Sequence, residues 1–254
     1  MIISNNNKII KQNNQLYSFN FKSKNVKESS SNCSEDFITY LDSLAASFKS
    51  NVISDSTINL SKINSLDIPN KRIYKDSIVR GESLSSKKNR KFIRPIKNAG
   101  IKNVIDLRDK YSSNLYSDLC ETNSLNYFHL PVDSHSVPDE VIIDNLPTLI
   151  KTLDKGSTFI ACAQGLHRTD IALALYYFFN PKEQEIPKMF GHVRENGFKC
   201  DDILRRINSV NNKISDEMLV NLGWNLEDYE ATFEKRRFDF IAYNRFFADE
   251  MNRS

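Results

Sequence analysis

Cys162-Ala163-Gln164-Gly165-Leu166-His167-Arg168-Thr169 stands between two apolar runs. Before it, Ser157-Thr158-Phe159-Ile160-Ala161 is short and partly β-branched, the pattern of a buried strand. After it, Asp170-Ile171-Ala172-Leu173-Ala174-Leu175-Tyr176-Tyr177-Phe178-Phe179 is rich in helix formers and stops at Asn180-Pro181, where proline ends a helix. Strand, loop and helix in that order place the loop at a helix N-terminus, whose free N–H groups and dipole attract an anion. A thiol in such a field ionises readily, at a pKa of roughly 3.5–7.5 in place of ~8.5. The competing reading is a buried structural cysteine; the flanks favour a working one.

Spacing by itself selects little. Cys200-Asp201-Asp202-Ile203-Leu204-Arg205-Arg206 has the same cysteine-to-arginine separation. It lacks glycine, sets two acids beside the thiol and reads as amphipathic helix through Ile203, Leu204 and Ile207. Cys200 is therefore expected to be structural.

Cleavage of a phosphate monoester needs a nucleophile, donors for the equatorial oxygens and a proton for the leaving oxygen. Cys162 supplies the attack and forms a phosphocysteine. Arg168 grips two oxygens through its planar fork, which lysine cannot imitate. The N–H groups of Ala163, Gln164, Gly165, Leu166, His167 and Arg168 take the remaining charge. Thr169 is expected to donate its hydroxyl to the sulfur, or to cap the helix. The scheme uses neither metal nor organic cofactor.

Cys-x-x-Gly-x-x-Arg-Thr after a strand resembles the signature loop of the cysteine-based protein tyrosine phosphatase superfamily. Upstream, Arg80-Gly81-Glu82-Ser83-Leu84-Ser85 and Ile96-Lys97-Asn98-Ala99-Gly100-Ile101-Lys102-Asn103-Val104-Ile105-Asp106-Leu107-Arg108 are similar to the opening of its compact dual-specificity and bacterial or phytase-like branch. Tyr127-Phe128-His129-Leu130-Pro131-Val132-Asp133 resembles the segment that delivers that branch's acid loop. The resemblance covers about residues 72–210. It implies that Asp133 protonates the leaving group and then activates water, a role worth ~10²–10⁴-fold in rate. Asp139 and Asp144 compete for that role; Asp139 suits the first turn of the next helix and Asp144 its interior. The family usually has His immediately before the nucleophile, where this chain has Ala161. His167, before the arginine, reads equally as a pocket-rim residue and as a solvent-facing one.

A protein tyrosine or dual-specificity phosphatase ranks first; the acid loop has no Trp-Pro-Asp and no phosphotyrosine-clamping loop is evident, so a shallower pocket that admits phosphoserine and phosphothreonine as well as phosphotyrosine is expected. An inositol phosphate or phosphoinositide phosphatase ranks second: Ala163 and Leu166 replace lysines seen in some such relatives, yet Lys87, Lys88, Arg90 and Arg94 can recruit polyphosphate. A phosphate-binding pseudophosphatase or adaptor is the reading from another class.

The chain has 254 residues, a net charge of +3 and four cysteines without regular spacing. These values imply no strong nucleic-acid field and no disulfide framework. Asn5-Asn6-Asn7 interrupts any secretory apolar segment, and Ile171–Phe179 is too short to span a bilayer. A reducing, cytoplasmic compartment is expected for a working Cys162, with delivery into a host cell left open.

The expected fold class is α/β: a mainly parallel four- to five-stranded sheet with helices on both faces and extra terminal helices. Residues 1–71 read as largely disordered, with one amphipathic helix near 35–49 and polar linker over 49–71. Residues 72–210 form the phosphatase domain and 211–254 a helical extension packed on it. Strands are expected near 73–80, 103–108, 126–130 and 157–161. Helices are expected near 86–98, 139–153, 169–180, 183–194, 201–210, 215–222 and 226–250. The last helix mixes Tyr229, Phe233, Phe238, Ile241, Phe246 and Phe247 with Lys235, Arg236 and Arg237; core packing is favoured over a membrane surface because acids dilute its charge.

Overall fold

The computed structural model describes residues 58–108, 114–132, 137–194 and 197–253, together with two short strands nearer the N-terminus. The chain divides into compact units over residues 1–50 and 51–254. In the first, Lys11–Gln12 pairs antiparallel with Gln15–Leu16. The helix expected near 35–49 lies outside the described residues.

The second unit is built on a five-stranded sheet. Its strands are β1 (Arg72–Tyr74), β2 (Ile78–Glu82), β3 (Asn103–Asp106), β4 (Asn126–His129) and β5 (Thr158–Cys162), in the order β1-β2-β5-β3-β4. Only β1 runs antiparallel to its neighbour; the other pairings are parallel. The central strand β5 is buried along its whole length. Its alternation sorts the core. Phe159 and Ala161 join Val79 and Val104 with Ile63, Ile96 and Tyr116 on one face. Ile160 and Cys162 join Ile78 and Ile105 with Leu146, Leu175, Ile207 and Phe233 on the other. Successive side chains of a strand point to opposite faces, so helices cover both sides.

The first face carries α1 (Leu60–Asn64), α2 (Ile93–Asn98) and α3 (Asn114–Thr122). The second carries α4 (Asp139–Asp154), α5 (His167–Phe179), α6 (Asp201–Asn211), α7 (Asp216–Asn221) and α8 (Leu226–Arg253). In α5, every residue from Thr169 to Phe179 is buried, as expected of a helix apolar all round. It ends at Asn180, which is extended before Pro181. Arg236 of α8 closes that end, donating to the carbonyls of Tyr177 (2.5 Å), Asn180 (2.9 Å) and Glu183 (2.6 Å). A cation is well placed against the negative end of a helix. Tyr229, Phe233, Phe240 and Phe247 of α8 are buried, whereas Phe238 and Phe246 are exposed. Among the described residues no helix is long and apolar enough to cross a membrane.

Four expectations need correction. The strand expected near 73–80 is a hairpin, because Lys75 and Asp76 take left-handed φ of 54° and 53° and reverse the chain. Residues 86–98 become helical only at Ile93, after a 3-10 turn over Arg90–Phe92; Ser86 accepts the Asn89 N–H and holds a turn instead. Residues 183–194 form no helix: Pro187 lacks an N–H, Glu183 turns back to accept the N–H groups of Gln184 and Glu185, and Val193–Arg194 pairs with Gly197–Phe198. Part of the polar linker is packed, since Ile58, Ile63 and Ile68 are buried around α1. Helix α3 was not anticipated.

Candidate active site

Parallel pairing sets the frame of the site. Cys162 ends β5 opposite Glu82 of β2, and Asp106, the last residue of β3, lies opposite Ala161. The thiol thus sits at the carboxyl edge of the sheet, at the point where the chain turns into α5, a place where α/β sheets bind ligands. Cys162 is only 4% exposed, and the Gly165 N–H donates to its Sγ at 3.1 Å.

Glycine is required at 165 for two reasons. Its φ is +71°, and a Cβ would lie 2.2 Å from the Gly81 carbonyl carbon and 2.5 Å from the Glu82 nitrogen. The loop is pressed directly on the backbone of β2. Ala163 and Gln164 are exposed, Leu166 and Arg168 half-buried, and His167 exposed. Arg168 occupies the first turn of α5, where backbone N–H groups have no intrahelical acceptor. His167 meets the edge of His192 with ring centroids 5.0 Å apart.

Thr169 does not serve the sulfur. Its hydroxyl accepts from Arg80 at 2.6 Å and donates to the Leu166 carbonyl at 2.7 Å. Since a guanidinium can only donate, the hydroxyl hydrogen is left for the carbonyl. Thr169 braces the loop.

The main organiser of that brace is Arg80, buried on β2. Its Nη2 lies 3.2 Å from the Gly165 carbonyl, 2.8 Å from that of Leu166 and 2.5 Å from Asp170 Oδ1. In a trans peptide the C=O and N–H point in opposite directions. Holding the two carbonyls against Arg80 therefore turns the N–H groups of Leu166 and His167 the other way. The second oxygen of buried Asp170 accepts from the Gly191 N–H (2.7 Å) and from His192 Nδ1 (2.9 Å). Gly191 is needed because a Cβ there would come within 2.8 Å of the His167 nitrogen. On the other side of the loop, Asn70 Nδ2 donates to the Gln164 carbonyl at 2.9 Å.

Beyond β3, Arg108 grips Asp106 with Nε and Nη2, each at 2.8 Å, and donates to Ser85 at 2.6 Å. Tyr127 donates to the same carboxylate at 2.9 Å.

Asp133 lies outside the described residues; β4 ends at the sheet edge that carries Cys162, and Leu130 and Val132 after it are buried. Its two competitors have other surroundings on α4. Burial works against ionisation of Asp139, but hydrogen bonds from Lys213, Ser209 and Arg206 hold its carboxyl down at about 2. Such a group has no proton to give near neutrality. Asp144 is exposed on α4. Cys200 is the buried residue just before α6, and burial, with Asp201 second, pushes its thiol up to about 12. Burial does the same to Cys120. Ala161 is fully buried on the face of β5 opposite to Cys162.

Sequence reading missed Arg80, Asp170, Gly191, His192 and Asn70. Charged residues are expected at the surface, so nothing local marks Arg80 as buried. The one usable signal was Asp170, an acid leading into an otherwise apolar run.

No family model matches the chain, and a comparison with curated proteins found no match. Solved structures are. A DUF442 protein of Shewanella putrefaciens, named as a phosphatase, is 14% identical over 61% of this chain and 99% of its own, with a TM-score of 0.46. TpbA of P. aeruginosa is 15% identical over 61% and 92%, with a TM-score of 0.42. The core catalytic domain of a PP-IP phosphatase from S. cerevisiae is 12% identical over 68% and 96%, with a TM-score of 0.37.

Proposed function

We propose that the chain is a phosphomonoester hydrolase working through a phosphocysteine. The observation that carries this reading is the Gly165 N–H on Cys162 Sγ, in a loop pressed on β2 and closed by the N-terminus of α5. A sulfur that receives an N–H at the mouth of a helix is stabilised as thiolate.

The reaction divides into two displacements. Cys162 Sγ attacks phosphorus in line: the S–P bond forms, the ester P–O bond breaks, and the leaving oxygen takes a proton from Asp133. Water then attacks phosphorus, gives its proton to Asp133 and breaks the S–P bond, releasing inorganic phosphate and the thiolate. Arg168 holds the equatorial oxygens in both steps, with the N–H groups of Ala163, Gln164, Leu166 and His167. Thr169 and Arg80 keep the loop in shape throughout.

Protein tyrosine or dual-specificity dephosphorylation is the first substrate reading. A second reading, an inositol phosphate or phosphoinositide, is favoured by the exposed Lys87, Lys88, Arg90 and Arg94 on the segment following β2. Hydrolysis of para-nitrophenyl phosphate by wild type, Cys162→Ser and Asp133→Ala tests the assignment. Cys162→Ser is expected to be inactive, and Asp133→Ala to lose ~10²–10⁴-fold. No turnover by folded wild type, with phosphopeptide binding retained, overturns the enzyme reading in favour of a phosphate-binding adaptor. Phosphopeptides and inositol polyphosphates compared at equal concentration separate the two substrate classes.

A further inference from the structure

We propose that Asn70 is a positioning residue for the Cys162 sulfur, acting through the peptide group that joins Gln164 to Gly165. The inference rests on the reading of Cys162 as the nucleophile. Asn70 belongs to the turn between α1 and β1, a stretch whose polar composition gave no hint of a role. That turn is fixed at two points: the Lys71 N–H donates to the Ile68 carbonyl (3.1 Å), and the Glu82 N–H donates to the Pro69 carbonyl (3.0 Å). The second bond ties the turn to the end of β2, opposite Cys162. Asn70 itself is exposed and has a left-handed φ of 56°, a conformation that asparagine tolerates better than other side chains.

From this position Nδ2 reaches across to the Gln164 carbonyl at 2.9 Å. The amide is oriented without ambiguity, since a carbonyl can only accept. The same peptide plane carries the Gly165 N–H, which donates to Cys162 Sγ at 3.1 Å. Because C=O and N–H are antiparallel in a trans peptide, anchoring the oxygen on Asn70 aims the hydrogen at the sulfur. Accepting a bond at oxygen also polarises the N–H and strengthens what it donates. Asn70, the peptide and the thiol form a relay in which an exposed residue controls how well the nucleophile is held as an anion.

The test is the pH profile of iodoacetamide alkylation of Cys162 in the full chain, followed by peptide mass spectrometry. Glycine at 70 keeps the left-handed backbone and deletes only the amide. For Asn70→Gly, alkylation at neutral pH is expected to slow about three- to tenfold, with its midpoint moved to higher pH and its alkaline plateau unchanged. Asn70→Asp, which sets an acceptor against the carbonyl, is expected to move the midpoint at least as far. Ser124→Gly, the same exchange at a left-handed turn before β4, leaves the profile on that of wild type. Glu82, opposite Cys162 in register, and His167 and Arg168 of its own loop are common to all variants, so their charges cancel in the comparison. Coincident midpoints for wild type and both Asn70 variants overturn the proposal, as does a uniform slowing at every pH. The readout does not require turnover. A shifted midpoint in a protein that hydrolyses no phosphate ester sinks the enzyme reading and leaves the relay standing.

Discussion

Replacing Gly165 by alanine concentrates several consequences of the structure in one methyl group. The left-handed φ of +71° costs an L-residue about 1 kcal/mol. Steric overlap costs more. The new Cβ lies 2.2 Å from the Gly81 carbonyl carbon and 2.5 Å from the Glu82 nitrogen, and ordinary contact begins near 3.4 Å. These are backbone atoms of a strand paired on both sides, so no rotamer change relieves the overlap. The loop must retreat by about 1 Å, which removes the Gly165 N–H from the sulfur and shifts Arg168 with it. A misplacement of that size costs on the order of 10²-fold in rate. We therefore expect kcat/KM for para-nitrophenyl phosphate to fall at least about 100-fold, close to 3 kcal/mol of transition-state stabilisation. Gly223→Ala is the matched control. Its φ is +95°, but a Cβ there meets nothing closer than Pro181 Cγ at 3.6 Å. It should lose about 1 kcal/mol of stability in a thermal melt and keep kcat/KM within about twofold. Gly165→Ala with kcat/KM within about threefold of wild type and an unchanged melting temperature would mean that the loop absorbs the methyl group in place, contrary to this packing.

Arg80→Met leaves Asp170 buried without its cation and should cost about 3–5 kcal/mol in urea unfolding, since removing one partner of a buried pair strands the other. Cys200→Ser should retain full activity, and at pH 7–8 mass spectrometry should find Cys162 alkylated well before Cys200 or Cys120, whose thiols burial pushes up to about 12. Asp139 is held at about 2 against 3.8 when unpaired, so its contribution is complete above about pH 4 and disappears as pH falls through about 2. Asp139→Asn should accordingly lose on the order of 1–2 kcal/mol at pH 7, the exposed Lys213 partner being screened, and converge with wild type near pH 2 in acid unfolding.

The central strand, the loop and α5 were legible because each obeys a local rule: a β-branched run, a glycine between cysteine and arginine, and an apolar stretch stopped by proline. The same rules misled over 183–194, where apolar residues recur at nearly helical spacing. There Glu183 binds its own downstream N–H groups and Pro187 interrupts the ladder, so side-chain chemistry overrode the periodicity. The linker reading failed for a related reason. Ile58, Ile63 and Ile68 are too widely spaced among polar residues to give a period, and burial comes from docking on a face of the sheet that the segment itself cannot reveal.

What stayed hidden was the frame around the loop, and its parts come from four distant places in the chain. Arg80 holds the carbonyls of Gly165 and Leu166 and, with Nη1 at 3.4 Å, reaches the Lys188 carbonyl. Asp170 binds Gly191 and His192 of the same 187–192 segment. That segment is in turn gripped from α8: Asn244 accepts the Met189 N–H at 3.0 Å and donates to the Pro187 carbonyl at 3.2 Å, and Phe247 meets the Phe190 ring with centroids 5.1 Å apart. A continuous set of packed and hydrogen-bonded groups thus runs from α8 to two peptide planes of the loop that follows Cys162. Buried polar groups of this kind are costly when half satisfied and rigid when complete, which suits them to holding a loop whose proposed use is to present several N–H groups to one anion. Helix α8, read from the sequence as part of an extension packed on the domain, touches the 187–192 segment that braces the loop. Its buried Asn244 makes both of the hydrogen bonds to that segment named here, beside the ring contact of Phe247.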